Sequence, residues 1–218
     1  MSARAAPVVL VAPSGTGKTT LAHQLVRGSG QYVFSVSATT RTPREDEQEG
    51  IDYYFLEPDV FVDHVEEGWF AEWAPVHDHM YGTPRSELDA ASIRGDHVVM
   101  DIDVQGASQI RTSVPEAKLI FVLPSSVDIM VARLTDRGTE ETASIIKRLE
   151  SAVVELQAVP EFDYVVVNDN LEDCVSVIRG IVERGELPAP HKQDAEQMRH
   201  EIVELLEGYY NLYRQDSQ

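Results

Sequence analysis

Four consecutive apolar residues, Val8 to Val11, run straight into Ala12-Pro13-Ser14-Gly15-Thr16-Gly17-Lys18-Thr19 and then into the helix-forming stretch Thr20 to Val26. This is a strand, a glycine loop and a helix in immediate succession. In such a loop, successive backbone N–H groups and the helix N-terminus converge on phosphate oxygens. The glycines allow close approach, the lysine reaches the terminal phosphates, and the hydroxyl that follows it ligates magnesium. Ala12, Pro13, Ser14, Gly15, Thr16, Gly17, Lys18, Thr19 and Thr20 are therefore candidate ATP-binding residues, with Lys18 catalytic and Thr19 a ligand for Mg²⁺. Ala12 stands where the first glycine of the motif is usual, a small change that adds a methyl group at the bend. A plain glycine turn with a chance lysine would not require both the strand before it and the helix after it.

The rest of the chain repeats the alternation. Short buried-strand patterns lie at Tyr32 to Ser35, His97 to Met100, Leu119 to Leu123 and Tyr164 to Val167. Between them the spacing predicts helices at Arg85 to Ile93, Gln105 to Ser113, Val127 to Asp136, Thr142 to Val159 and Glu172 to Arg184, several ended by glycine or proline. Alternation of this kind predicts an α/β fold, a parallel five-stranded sheet flanked by helices. It fails between Thr39 and Pro84. There the pattern turns aromatic and strand-like (Tyr53 to Leu56, Trp69 to Trp73), with one short helix predicted at Asp59 to Glu67, and reads as an inserted subdomain. After Pro188 and Pro190, Met198, Ile202, Leu205, Leu206, Tyr209 and Leu212 form the apolar stripe of a terminal helix. Docking on its own domain is the favoured reading of that helix, and a subunit or partner contact, such as a homo-oligomer, is the alternative.

Charge excludes several partners. The chain has 37 acidic and 18 basic residues, a formal net charge of -19 in 218 residues, which repels nucleic acid and anionic membrane surfaces. From Glu45 to Asp89 there are 14 acidic residues and one arginine, so an anion at the insert depends on the few cations nearby. The one cysteine, Cys174, makes no internal disulfide, and no long apolar run or leader pattern is evident, so the expectation is a cytoplasmic protein with no membrane or nucleic-acid partner.

A second constellation lies in Ser37-Ala38-Thr39-Thr40-Arg41-Thr42-Pro43-Arg44, read as an extended loop. Its two arginines are spaced to fork around a phosphate, although Glu45, Asp46 and Glu47 could equally take them as counterions. Asp101 and Asp103 end the strand that begins at His97, at the carboxyl edge where α/β sheets bind ligands. Period two faces both the same way, and helix capping is the plain alternative for Asp103. Strand alternation alone would turn Glu72 to solvent.

Taken together these stretches resemble the guanylate kinases over Val8 to about Gly185. The resemblance rests on the glycine loop, Ser35 to Arg44, Gly50-Ile51-Asp52-Tyr53, Phe70 to Ala74, Tyr81-Gly82-Thr83, Asp101 to Ala107, Arg133-Leu134 with Arg137-Gly138-Thr139, Arg148-Leu149 and Val167-Asn168-Asp169. It implies a P-loop kinase of three parts: a core (1–38 and 84–185), an inserted mixed β/α GMP-binding subdomain (39–83) and a small helical lid near 126–150, with 186–218 a C-terminal extension. The implied reaction moves the γ-phosphoryl of ATP to GMP, and to dGMP, with Mg²⁺ as cofactor. Arg41, Arg44, Tyr53 and Tyr81 match the family's GMP-phosphate ligands, and Ser37, Glu72, Thr83 and Asp103 match its guanine-recognition residues. Arg41, Arg133, Arg137 and Arg148 match cations that neutralise the moving phosphoryl group. Asp101 matches an acid that holds magnesium through water, and Asn168 a position near adenine. Closure of the insert and of a lid near 137 to 142 would exclude water.

Asp46 replaces a usual glycine before Glu47, and His77-Asp78-His79-Met80 replaces the familiar residues before Tyr81. His77 and His79 lack an evident third partner for zinc. Two other readings compete: a non-catalytic guanylate-kinase-like binding module, and a related P-loop kinase acting on a phosphorylated sugar. Lys18, Thr19 and the arginines argue against the first, and Glu72, Thr83 and Asp103 together against the second.

Overall fold

The computed structural model describes residues 5–27, 31–76, 78–135, 142–186 and 192–216. Along the chain come β1 (Val8–Val11), α1 (Lys18–Val26), β2 (Tyr32–Phe34), β3 (Ser37–Thr39), β4 (Tyr53–Phe55), α2 (Pro58–Glu66), β5 (Phe70–Val76), β6 (His79–Pro84) and α3 (Arg85–Arg94). There follow β7 (His97–Asp101), α4 (Val104–Ser113), β8 (Lys118–Pro124), α5 (Val127–Thr135), α6 (Thr142–Gln157), β9 (Tyr164–Asn168), α7 (Leu171–Arg184) and α8 (Lys192–Asp216). The expected α/β fold is present. A parallel five-stranded sheet has the order β2-β7-β1-β8-β9, and a separate four-stranded sheet has the order β4-β3-β6-β5. Among the described residues no helix is long and apolar enough to cross a membrane.

The chain divides into two compact units, Met1–Leu10 with Ala22–Leu119, and Val11–Leu21 with Ile120–Gln218. In the first, β7 pairs in parallel with both β1 and β2. The four residues of β1 are buried, which is why they read as one unbroken apolar run rather than an alternating one. The small sheet carries its own core of Ala38, Phe61 and Phe70, with Tyr54, Leu56, Val65, Trp69, Trp73 and Met80 packed around it. Glu87 of α3 accepts from the Tyr54 hydroxyl (3.1 Å) and from the Val36 N–H (3.3 Å), tying this sheet to the helix that follows it.

In the second unit β8 and β9 pair in parallel, and the rings of Phe121 and Phe162 meet edge to face. α8 packs along α6, and its Met198 and Ile202 are buried, so the terminal helix docks on its own unit as the apolar stripe favoured. α6 stops at Gln157, two residues short of the predicted end, and the chain tightens into a 3-10 turn at Val159–Glu161. Pro160 explains this, since it has no N–H to donate and disfavours helical backbone at the residue before it.

Two strands differ from expectation. Ser37–Thr39, read as the start of an extended loop, pairs with both β4 and β6, and His79–Pro84 is a strand that its glycine, proline and polar residues concealed.

Candidate active site

In the second unit the glycine loop is shaped by Gly15 and Gly17, whose φ values of 85° and 86° lie in the left-handed region that other residues avoid. The Thr16 N–H donates to Pro13 O (3.2 Å), and α1 begins at Lys18. Two side chains from distant segments grip the loop's carbonyl side. Asn168, at the end of β9, donates from Nδ2 to Thr16 O (2.9 Å). Arg133 of α5 donates from one nitrogen to both Thr16 O (3.1 Å) and Gly15 O (3.3 Å). These bonds fix the carbonyls of Gly15 and Thr16 and so hold the shape of the loop. A Cβ on Gly17 would stand 3.3 Å from the Asn168 amide and 3.4 Å from Arg133, so the loop is closely fitted to both. Ala12 is buried at the bend, and its methyl is accommodated there.

In the first unit Arg41 lies 5.3 Å from the centre of the Tyr53 ring, and Tyr53 meets Tyr81 edge to face at 6.0 Å. Three of the four GMP-phosphate candidates are thus brought together. The Arg41 guanidinium is held in a two-pronged bond by Glu47, at 2.8 and 2.9 Å, and Glu47 also accepts from the Arg44 backbone N–H (2.8 Å). That bond to Glu47 holds the Arg41 pKa above its ordinary value, and Arg41 in turn holds the Glu47 carboxyl below its own. Of the three acids weighed as counterions, Glu47 is the one paired with Arg41. Arg44 is exposed. Burial, with the charge of Asp101 adding to it, raises the Tyr53 hydroxyl.

The carboxylate of Glu72 is 4% exposed, opposite to what simple alternation along β5 dictates. The pairing of β5 with β6 shifts register between Phe70 and Glu72, and the face of β5 that carries Glu72 is covered by α4, whose Gly106 lies against the carboxylate, while Trp73 turns to the opposite face with Phe70. Thr83, its partner across the strands, donates from Oγ1 to Glu72 Oε1 (2.6 Å). Burial pushes the Glu72 carboxyl up to about 7, opposed by the Thr83 bond and reinforced by the charge of Asp103. β3 runs beside β6 with Ala38 opposite Gly82, so one residue further in that register Ser37 comes level with Thr83. Gly82 is glycine for want of space, since a Cβ there would lie 2.8 Å from the Phe70 ring and 3.0 Å from Trp73.

Asp103 corrects one expectation. β7 ends at Asp101, so alternation no longer governs Asp103; it is the N-cap of α4 and accepts from the Gly106 N–H (2.8 Å). The capping bond takes one carboxylate oxygen and fixes the side chain beside Glu72. Gln109, further along α4, donates to Trp73 O (2.6 Å) and accepts from Trp73 N–H (3.1 Å), fastening the helix to β5.

A family model described as guanylate kinase matches residues 4–185. The guanylate kinase of Myxococcus xanthus is 46% identical over 176 residues, covering 80% of this chain and 84% of that protein. The guanylate kinase of Thermotoga maritima is 42% identical over 186 residues, covering 85% and 90%. The chain belongs to the guanylate kinase family. A crystal structure of guanylate kinase from Anaplasma phagocytophilum superposes with a TM-score of 0.69 at 29% identity, covering 86% of this chain and 89% of that one. α8 lies beyond the part matched by the guanylate kinase model.

Of the residues that the sequence singled out, Arg137, the lid tip around it and His77 lie outside the described residues. Among the described residues no group of three metal-ligating side chains is gathered. Arg148 is half-buried on α6, and Thr19 and Thr20 are exposed on the first turn of α1. Sequence reasoning missed Gln109 and the grip of Arg133 and Asn168 on the loop carbonyls. Nothing local marks those bonds, because they join segments more than a hundred residues apart or reach from a helix to a backbone.

Proposed function

We infer that the chain transfers the γ-phosphoryl group of ATP to GMP, yielding ADP and GDP, with each unit supplying the determinants of one nucleotide. Membership of the guanylate kinases, which are ATP:GMP phosphotransferases, supports the reaction. The observation that carries the choice of acceptor is the buried Glu72 carboxylate beside Thr83 and Asp103. Guanine offers N1–H and an exocyclic amine as donors, adenine has no N1–H, and a buried acceptor left unpaired rejects the wrong base strongly. Ser37, Glu72, Thr83 and Asp103 are the residues we assign to the base, and Arg41, Arg44, Tyr53 and Tyr81 those we assign to its phosphate.

On the donor side, Ala12 to Thr20 cradle the ATP phosphates and Lys18 neutralises the terminal ones, with Arg148 and Arg137 as further cations. Asn168 and Arg133 act by holding the loop carbonyls, and Arg133 also adds positive charge to the loop. The Thr19 hydroxyl is the hard oxygen donor that would hold magnesium, which would supply positive charge to the phosphates. The acceptor phosphate is already an anionic nucleophile, so no side chain is required as a strong base. Glu47 keeps the Arg41 fork oriented before the substrate phosphate arrives.

The test is an ADP-release assay with ATP, magnesium and, in turn, GMP, dGMP, AMP, UMP, CMP and a phosphorylated sugar. Turnover with the two guanine nucleotides well above the others supports the reading. No turnover with GMP would refute it in favour of a binding module, and a preference for a phosphorylated sugar would point to the related kinase.

A further inference from the structure

Gly106 lies where the two acids of the base site converge. It is the third residue of α4 and is buried, and a Cβ built on it would fall well inside van der Waals distance of Glu72 Oε2. The same atom would stand 3.1 Å from Glu72 Cδ and 3.3 Å from Asp103 Oδ1. Helical backbone does not call for glycine here, because alanine is favoured over glycine within a helix by about 1 kcal/mol. Left-handed geometry does not call for it either, since Gly106 is not among the glycines of positive φ. What remains is space.

The surroundings decide what would yield if that space were filled. α4 cannot recede, because Gln109 is bonded both ways to the backbone of Trp73, the residue next to Glu72. Asp103 is held by its cap to the N–H of Gly106 itself. The other oxygen of Glu72 is held by Thr83 at 2.6 Å. The Glu72 carboxylate is the flexible end among these groups, so it would move, and the Thr83 bond would be lost or bent.

We propose that Gly106 is a specificity-determining positioning residue of the guanine site: its bare Cα sets the place of the Glu72 carboxylate, and any side chain there pushes that carboxylate away from the base. This rests on the reading of Glu72 as the acceptor for guanine.

The experiment measures kcat and KM at saturating ATP for GMP, for inosine monophosphate (the same base without its exocyclic amine) and for AMP. The variants are Gly106→Ala, Glu72→Gln, Glu72→Asp and the double Gly106→Ala/Glu72→Asp, with the KM for ATP and the thermal midpoint recorded for each. Losing one bond to a charged group raises the GMP KM in Gly106→Ala by about tenfold or more and erodes preference for GMP over AMP, while the KM for ATP is unchanged. The gain in helix propensity offsets part of the cost of the disturbed Thr83 bond, so the midpoint falls only slightly. In the double variant the carboxylate is one methylene shorter, so it clears the new methyl group, and the combined loss is smaller than the sum of the single ones.

An unchanged GMP preference in Glu72→Gln overturns the reading of Glu72 and this inference with it. A lowered preference in Glu72→Gln beside a parent-like Gly106→Ala, or strictly additive losses in the double variant, overturns the inference alone. Should Gly106→Ala prove unstable, the double variant still decides: a restored midpoint supports the steric pairing with Glu72, and an equally unstable double variant overturns it.

Discussion

The two nucleotide regions of this chain solve recognition in opposite ways. The phosphate loop is built from backbone: two left-handed glycines, a helix start, and carbonyls held by Asn168 and Arg133. The base site we propose is made of side chains on β3, β5, β6 and α4, each placed by a separate constraint such as a strand register, a covering helix or a helix cap. Backbone amides tolerate any nucleotide carrying the same phosphates, whereas side-chain acceptors distinguish one base from another. The contrast predicts where substitutions change rate and where they change selectivity.

The largest effect is expected from Lys18→Met, which removes the loop's side-chain cation. Turnover should fall by about a thousandfold, comparable with losing a key group that stabilises transition-state charge, while GMP binding by calorimetry stays unchanged. A near-normal rate would remove Lys18 from the mechanism. Arg41→Ala comes next. It takes a forked cation from the acceptor site and leaves Glu47 without its guanidinium partner, so the KM for GMP should rise by about ten- to a hundredfold with little change in the KM for ATP. Equal damage to both constants would break the division between the two regions.

Glu72→Gln separates selectivity from stability. In the folded chain the carboxyl titrates at about 7 against an ordinary 4.5, so between these values the native state binds more protons than the unfolded one. Stability contributed by this group is therefore fully present below about 4.5 and lost as the pH rises through about 7, by about 3 kcal/mol in all. The glutamine variant should lose preference for GMP over AMP by about tenfold or more, yet melt higher than the parent at pH 8 and closer to it at pH 5. The carboxylate must be ionised to accept two donors. The parent's KM for GMP should then fall from pH 6 to pH 8 more steeply than the variant's, the variant serving as control for ionisation of the substrate itself. Parallel pH profiles would detach Glu72 from the base.

Smaller effects sharpen the donor side. Asn168→Ala frees Thr16 O from its buried bond, and loss of one neutral hydrogen bond should raise the KM for ATP by about three- to tenfold without touching the GMP to AMP ratio. Ala12→Gly restores the commoner residue at a bend that already accommodates the methyl, and both constants should stay within about twofold of the parent.

These differences also govern what could be read before the structure. β1, the loop and α1 are contiguous, and each residue's task follows from local chemistry, so the run from Val8 to Val26 announced itself. The core strands were visible as apolar runs because both their faces are covered. The base site was not readable from local pattern. Glu72 is buried because α4, distant in sequence, covers its face of β5, β6 hides behind Gly82 and Pro84, and the facing of Asp103 is set by a helix cap after its strand has ended. Only the resemblance in motifs linked these residues. Even that did not reveal Gln109, or the choice of Glu47 over its two acidic neighbours as the partner of Arg41, since both depend on how the chain folds back on itself.

The bonds from Gln109 have a consequence outside catalysis. An outer strand exposes a ladder of amides and carbonyls to which a strand of another molecule can add. In the small sheet one rim, β4, is three residues long, and at Trp73 of the other rim, β5, both the N–H and the carbonyl are already taken by a side-chain amide. The aromatic, strand-rich segment is thereby guarded against templated polymerisation, and Gln109→Ala should show it first as faster aggregation at elevated concentration.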